Sequence, residues 1–386
     1  MARIRECLVM AKPAGPRCNL RCDYCYYLDK EESFSSLPWP MPEKLLERYI
    51  AERIESSPGP STHFEWHGGE PTLLGLDYFR RIARIQRARL PRGRSVTNGI
   101  QTNGTLIDEE WAAFFASEGF SVGLSLDGPA ELHDRHRKGR GGAPSHAAVM
   151  RALGLLKERG VFVSILCVLH EGNVAFPERV YSFFKGEGVK YLQFLPLVPR
   201  PSRAGAASGN AGAAAAPEAI GDFLCAVFDL WIREDVGRIV VQAFDEALRP
   251  IYGTPHALCV HRETCGDVAV LERDGSFYAC DHFVDGEHMI GNLGERSLAE
   301  LSSDPRMLAF GRAKRDALPR ACLDCEVLAS CNGGCPKDRF VDVPGTVGLN
   351  YLCAAYKRFF LHSRPQLIRL AAHMKAGKSL RSFATG

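Results

Sequence analysis

The sequence predicts an α/β protein: a parallel sheet or partial barrel made of repeated strand–helix units, followed by a small cysteine-rich domain. Three observations carry this. Apolar runs alternate with amphipathic segments through the first half, a low-complexity Ala/Gly stretch interrupts that pattern, and eight cysteines then collect between Cys259 and Cys353. Such alternation favours parallel strands whose C-terminal ends carry ligand-binding loops.

In chain order, the strand candidates are residues 5–11, 62–66, 96–101, 121–126, 161–168 and 189–195. Each is a short apolar run bounded by turn formers. Between them, apolar residues at helical spacing mark helices over 42–54, 78–89, 108–118, 145–159 and 176–187. Residues 204–217 (AGAASGNAGAAAAP) almost lack bulky side chains and read as a flexible linker or exposed loop, and a helix over 220–234 follows. The implied division is 1–200 for the strand–helix domain, 201–235 for linker and connecting helix, 236–365 for the cysteine-rich domain and 366–386 for a tail.

At about 150 residues per domain, 386 residues suggest two or three domains. Apolar residues at 46% and charged residues at 24% exclude wholesale disorder, collagen-like repeats and a coiled coil. Lys plus Arg at 48 against Asp plus Glu at 45 leaves +3, which gives no electrostatic reason for a nucleic-acid partner. The arginines between Arg80 and Arg94 alternate with Phe79, Ile82 and Ile85, as on the solvated face of an outer helix. No run is long and apolar enough for a membrane span, and the N-terminus lacks a signal-peptide core, so the expectation is cytoplasmic with no membrane association. A reducing compartment keeps thiols free, so the 14 cysteines point to metal or redox chemistry.

Cys18-Asn-Leu-Arg-Cys22-Asp-Tyr-Cys25 follows the first strand directly. Three thiolates on so short a loop can bind one face of a 4Fe-4S cubane and leave one iron open to a small molecule. Spacing alone also admits zinc completed by a remote fourth ligand. Gly68-Gly69-Glu70-Pro71 follows the second strand, Gln101-Thr-Asn-Gly104 the third, and Ser125-Leu-Asp-Gly-Pro129 the fourth, with Arg137 shortly after. Two glycines allow close backbone approach to a ligand, and carboxylate and carbonyl acceptors suit an ammonium. An arginine fork suits a carboxylate. The second constellation is Cys259, Cys265, Cys280, Cys322, Cys325, Cys331, Cys335 and Cys353, with gaps of 6, 15, 42, 3, 6, 4 and 18. Eight thiols divide into two sets of four, for which zinc and iron–sulfur remain open. Cys7, Cys167 and Cys225 lie in apolar segments and read as inert buried thiols.

The four strand-end motifs together resemble the signature of radical S-adenosylmethionine (SAM) enzymes. The C-terminal half resembles the SPASM domain, and its gaps resemble those of the anaerobic sulfatase-maturating enzymes. That resemblance implies a partial (β/α)6 TIM-like barrel followed by a SPASM domain with two auxiliary iron–sulfur clusters. The implied cofactors are three 4Fe-4S clusters and SAM. Cys18, Cys22 and Cys25 would hold the SAM cluster. Cys259, Cys265, Cys280 and Cys335 would hold one auxiliary cluster, and Cys322, Cys325, Cys331 and Cys353 the other. Gly68, Gly69, Glu70 and Pro71 would hold the SAM ammonium and Ser125 and Arg137 its carboxylate. Gln101 would contact SAM or peptide, Leu195 would border the SAM site, and Tyr27 would face the substrate.

Asp281, directly after the third SPASM cysteine, would be the general base. The implied reaction oxidises a cysteine or serine of a sulfatase to Cα-formylglycine, with electrons from a flavodoxin- or ferredoxin-type donor. His67 stands where some relatives have glutamine. Two other functions are consistent with the motifs. A related SPASM enzyme could install thioether, carbon–carbon or other crosslinks in a ribosomal precursor peptide, and a non-enzymatic zinc or iron–sulfur protein could relay electrons without cleaving SAM.

Overall fold

Six strands of the computed structural model, which describes residues 7–27, 30, 39–199 and 213–383, form where the apolar runs mark them. They are β1 (Leu8–Lys12), β2 (Ser61–Trp66), β3 (Ser95–Thr102), β4 (Phe120–Ser125), β5 (Phe162–Leu169) and β6 (Tyr191–Pro196). The start of the first expected strand lies outside the described residues. Helices α1 (Glu43–Ser56), α2 (Leu76–Arg89), α3 (Glu109–Ser117), α4 (His146–Glu158) and α5 (Pro177–Gly186) intervene as expected. The chain forms two compact units: Met1–Ser125 with Lys138–Val163 and Gly266–Arg312, and Leu126–Arg137 with Ser164–Cys265 and Ala313–Gly386.

In the first unit β1 to β4 pair in parallel, in chain order. Thr62, Phe64 and Trp66 of β2 point inward while His63 and Glu65 take the other face, as a strand's period of two requires. Phe64 stacks on Trp66 at 5.8 Å, and Tyr49 of α1 meets both rings edge-on at 5.7 and 6.0 Å. Phe79 of α2 joins Trp66 to Trp111 of α3. Asp108 caps α3 by accepting from Trp111 N at 3.0 Å. On α2, Arg80 pairs with Asp77 and Glu110, Arg81 with Glu43 and Arg87 with Glu118. Local carboxylates thus offset the charge of that basic face.

The later strands are β7 (Val240–Val241), β8 (Val268–Glu272), β9 (Ser276–Tyr278) and β10 (Met289–Asn292). β8 lies parallel to β1, with Leu8 opposite Val268 and Lys12 opposite Glu272, and β9 and β10 continue antiparallel. Ala269, Val270 and Leu271 are fully buried, as befits a strand with neighbours on both sides. The composition shift groups these residues with the cysteine-rich segment, whereas strand pairing places Gly266–Arg312 in the first unit.

In the second unit β5, β6 and β7 pair in parallel. Helices α6 (Pro217–Glu234), α7 (Gln242–Tyr252) and α9 (Cys353–Lys375) belong to this unit, whereas α8 (Pro305–Asp316) starts in the first unit and only its last turn falls in the second. Phe228, Phe244 and Phe359 bring α6, α7 and α9 together, with ring centroids 5.3 to 6.1 Å apart. The expectation of an exposed linker needs correction over its described end, since 204–212 lie outside the described residues. Ala213 and Ala215 are 5% and 3% exposed, and their carbonyls accept from Glu171 N and the Tyr351 hydroxyl. Alanine is small enough to pack there, and Pro217 opens α6 rather than closing a loop. No described helix is long and apolar enough to cross a membrane.

Candidate active site

The Cys18–Cys25 loop leaves the C-terminal end of β1 and is fastened by its neighbours within the first unit. Leu20 N and Asn103 Nδ2 donate to Cys18 Sγ at 3.4 and 3.7 Å, and Asn103 Nδ2 also reaches Asn19 Oδ1 at 2.9 Å. Arg140 Nε donates to the Cys18 carbonyl at 2.8 Å, and Cys25 N closes a turn onto Cys22 O at 3.0 Å. Burial, reinforced by the charge of Glu70, pushes the Cys18 thiol up to about 11. Such a thiol favours its thiolate only beside strong positive charge, which iron supplies. An all-sulfur donor set with N–H groups aimed at sulfur fits an iron–sulfur cluster.

The Gly68–Pro71 loop packs directly on this loop. Gly69 N donates to Gly15 O at 2.7 Å and Glu70 N to Arg17 O at 2.8 Å. A Cβ at Gly69 would meet the Arg17 carbonyl at 2.1 Å, so only glycine permits this approach. Glu70 is fully buried. Its carboxylate accepts from Thr72 N (3.0 Å), Thr72 Oγ1 (2.6 Å), Thr102 Oγ1 (2.7 Å) and Asn103 N (2.7 Å). It therefore ties two expected ligand loops together, and Asn103 ties the second to Cys18. Gln101 Nε2 donates to Ser125 Oγ at 3.1 Å, joining the ends of β3 and β4.

In the second unit, Arg137 Nε donates to the buried carboxylate of Asp127 at 2.8 Å, while Val168 N donates to its other oxygen at 2.9 Å. Leu195 lies in β6 of that unit and is 38% exposed. A cavity of about 500 Å³ lined by Phe176, Arg179 and Ser182 at the start of α5 includes none of the expected site residues.

Asp281 lies just beyond β9 and is 9% exposed. One carboxylate oxygen contacts Lys12 Nζ and the other accepts from the Tyr26 hydroxyl. Burial alone would raise this carboxyl, but the charges of Lys12, His282 and His67 hold it well below the usual carboxylate range. Lys12 is also 3.8 Å from Glu272, and its ammonium lies 3.9 Å from the centre of the Tyr27 ring. Tyr27, expected to face substrate, is only 2% exposed and donates to Glu272 at 2.6 Å. Tyr26 is the tyrosine that reaches Asp281. His67 Nδ1 is buried with no hydrogen-bond partner among the described residues, and burial lowers the pKa of the ring.

Motif reasoning missed Lys12 and Glu272. A signal was available, because each is a lone charge ending an apolar run, LVMAK and VAVLE.

Cys280 lies in the first unit and the other seven auxiliary cysteines in the second. There, Cys331 is acted on by Cys353, Cys322 and Cys325, and Cys335 by Cys259. Burial pushes both Cys331 and Cys335 up to about 12. Asn332, Gly333 and Gly334 between them all take left-handed backbone conformations. Among the described residues no three His, Cys, Asp or Glu side chains gather around one ion-sized point. A cubane spreads its thiolates over separate corners, so that single-ion arrangement is not its requirement. Cys7, Cys167 and Cys225 are buried.

Residues 13–178 match the model of the radical SAM superfamily and residues 259–326 that of the iron–sulfur cluster-binding SPASM domain. Fold and cysteine spacing thus define a radical SAM oxidoreductase, whose cofactors are SAM and three 4Fe-4S clusters. The serine-type anaerobic sulfatase-maturating enzyme of Bacteroides thetaiotaomicron is 41% identical over 372 residues, covering 93% of this chain and 90% of that protein. The cysteine-type enzyme of Clostridium perfringens is 32% identical over 95% of this chain and 99% of its own. The solved structure of native anSMEcpe with bound AdoMet and Cp18Cys peptide superposes with a TM-score of 0.85 at 33% identity, covering 95% of this chain and 99% of that one. The chain belongs to the anaerobic sulfatase-maturating enzymes.

Proposed function

We propose that the chain oxidises a serine or cysteine side chain of a sulfatase to Cα-formylglycine, with Asp281 as general base. Serine is the favoured substrate, on the strength of the 41% identity to a serine-type relative. The observation that carries the assignment is the placement of Asp281: buried, held ionised by Lys12, and in the same unit as the Cys18–Cys25 and Gly68–Pro71 loops.

Cys18, Cys22 and Cys25 hold the first cluster. Backbone groups of Gly68, Gly69 and Pro71 receive the SAM ammonium, with Glu70 fastening the loop beneath them. Ser125, Gln101, Leu195 and Arg137 complete that binding site, Arg137 being oriented by Asp127. When bound, cluster and SAM supply a 5′-deoxyadenosyl radical able to take one Cβ hydrogen. Asp281 accepts the hydroxyl or thiol proton on a carboxylate oxygen, and Lys12 keeps that oxygen ionised beforehand. Cys259, Cys265, Cys280 and Cys335 would hold one auxiliary cluster, which would supply an acceptor for the remaining electron. Cys322, Cys325, Cys331 and Cys353 hold the other. Tyr27 acts behind the site by orienting Glu272. A flavodoxin- or ferredoxin-type donor in the cytoplasm supplies the reducing electron.

The test is anaerobic reconstitution followed by incubation with serine- and cysteine-containing sulfatase peptides. Mass spectrometry should find the aldehyde, and Asp281→Asn should lose it by at least about 100-fold while still forming 5′-deoxyadenosine. A crosslinked peptide instead of an aldehyde, or an Asp281→Asn enzyme as active as the parent, would overturn the reading.

A further inference from the structure

Lys314, in the last turn of α8, is 1% exposed, and Arg339 is half-buried. Among the described residues neither has a carboxylate partner. Lys314 Nζ donates instead to backbone carbonyls of the Cys259 loop: Cys259 at 2.6 Å, Val260 at 2.9 Å, and Arg262. Arg339 donates to Lys314 O at 2.6 Å, and to Gly333 and Asn332 O at 3.1 and 3.2 Å, spanning the turn between Cys331 and Cys335. The titratable groups acting electrostatically on Lys314 are Cys265, Cys259, Cys335 and Arg339, and those acting on Arg339 include Cys322, Cys335, Cys331 and Cys265.

A buried cation beside a half-buried one, with no anion for either, is costly. Carbonyl dipoles relieve part of that cost, but the charge still lacks a counter-charge. The thiols around it supply one when they become thiolates on a cluster. A thiolate-bound cubane is net negative, and more so once reduced, so nearby positive charge favours the reduced form.

We propose that Lys314 and Arg339 are the counter-charge of the auxiliary clusters and raise their reduction potential, making them acceptors for the substrate electron. This rests on the assignment of the eight cysteines as cluster ligands. Lys314 acts on the cluster of Cys259, Cys265 and Cys335, and Arg339 stands between the two sets.

The experiment is an EPR-monitored redox titration of the full chain carrying Cys18→Ala, Cys22→Ala and Cys25→Ala, which leaves only the auxiliary clusters. Lys314→Met and Arg339→Gln remove charge, whereas Lys314→Arg and Arg339→Lys retain it. Each charge-removing change should lower the reduced-to-oxidised ratio at fixed potential about tenfold, equivalent to about 59 mV for one electron. The charge-retaining changes should titrate with the parent. Unchanged potentials at full iron content would overturn the proposal. So would loss of auxiliary iron from both charge-removing variants, which would make the pair a scaffold. A parent that binds no iron would instead sink the cysteine assignment itself.

Discussion

Lys12 is the buried cation that Asp281 and Glu272 share. It faces Asp281 and Glu272 at once, and Tyr26 and Tyr27 each donate to one of those carboxylates. Lys12→Met would leave two buried acids without their cation, and denaturant unfolding should show a loss of roughly 3–5 kcal/mol. The two tyrosines should separate by readout. Tyr26→Phe removes a donor to the catalytic carboxylate and should slow aldehyde formation about tenfold with little change in stability. Tyr27→Phe removes a donor from buried Glu272 and should cost about 1–3 kcal/mol with a smaller effect on rate. The three-cysteine loop was legible from spacing because one short covalent segment can bring its thiols to one cluster, whereas the division of the other eight into two sets came only from the resemblance. Lys12 and Glu272 were not legible, because a charge ending an apolar run reads equally well as an exposed strand end, and only their 0% exposure shows otherwise.

Among the elements, the strand ends act through the loops they carry. Glu70 receives four hydrogen bonds from two loops, so Glu70→Ala would leave Thr72 N and Asn103 N buried without an acceptor. A fall in thermal stability is expected, with roughly 1–3 kcal/mol for each orphaned group. Gly69→Ala would push the Gly68–Pro71 loop off the Arg17 carbonyl. It should weaken SAM binding more than tenfold in equilibrium dialysis while the far-UV spectrum stays native. Strand and helix positions followed from apolar periodicity, since β2 and α2 bury one face each. The role of Glu70 did not follow. The resemblance implied a ligand for ammonium, and the fold adds four hydrogen bonds from the protein to its oxygens.

For the molecule as a whole, stability should depend on pH through His170, which is fully buried in the second unit. Burial lowers it to about 4; Asp127 opposes this, and His136, Arg137 and Arg135 add to it. The unfolded chain takes up this proton near pH 6.5 and the folded chain does not. Stability should therefore fall as pH drops from about 6.5 towards about 4, by up to about 1.4 kcal/mol per pH unit, and the loss should level off below that. His170→Gln should flatten this part of a urea-midpoint profile.

Strand–helix order, the three-cysteine loop and the eight-cysteine set were determined by the sequence alone, because periodicity and covalent spacing are local properties. Pairing β8 with β1 was decided only by the tertiary structure. That pairing joins segments more than 250 residues apart and sets Glu272 opposite Lys12, in the unit where Asp281 meets Lys12 and Tyr26. No local pattern encodes it, since hydrogen bonding between distant strands depends on which apolar edges the folded chain leaves to be covered.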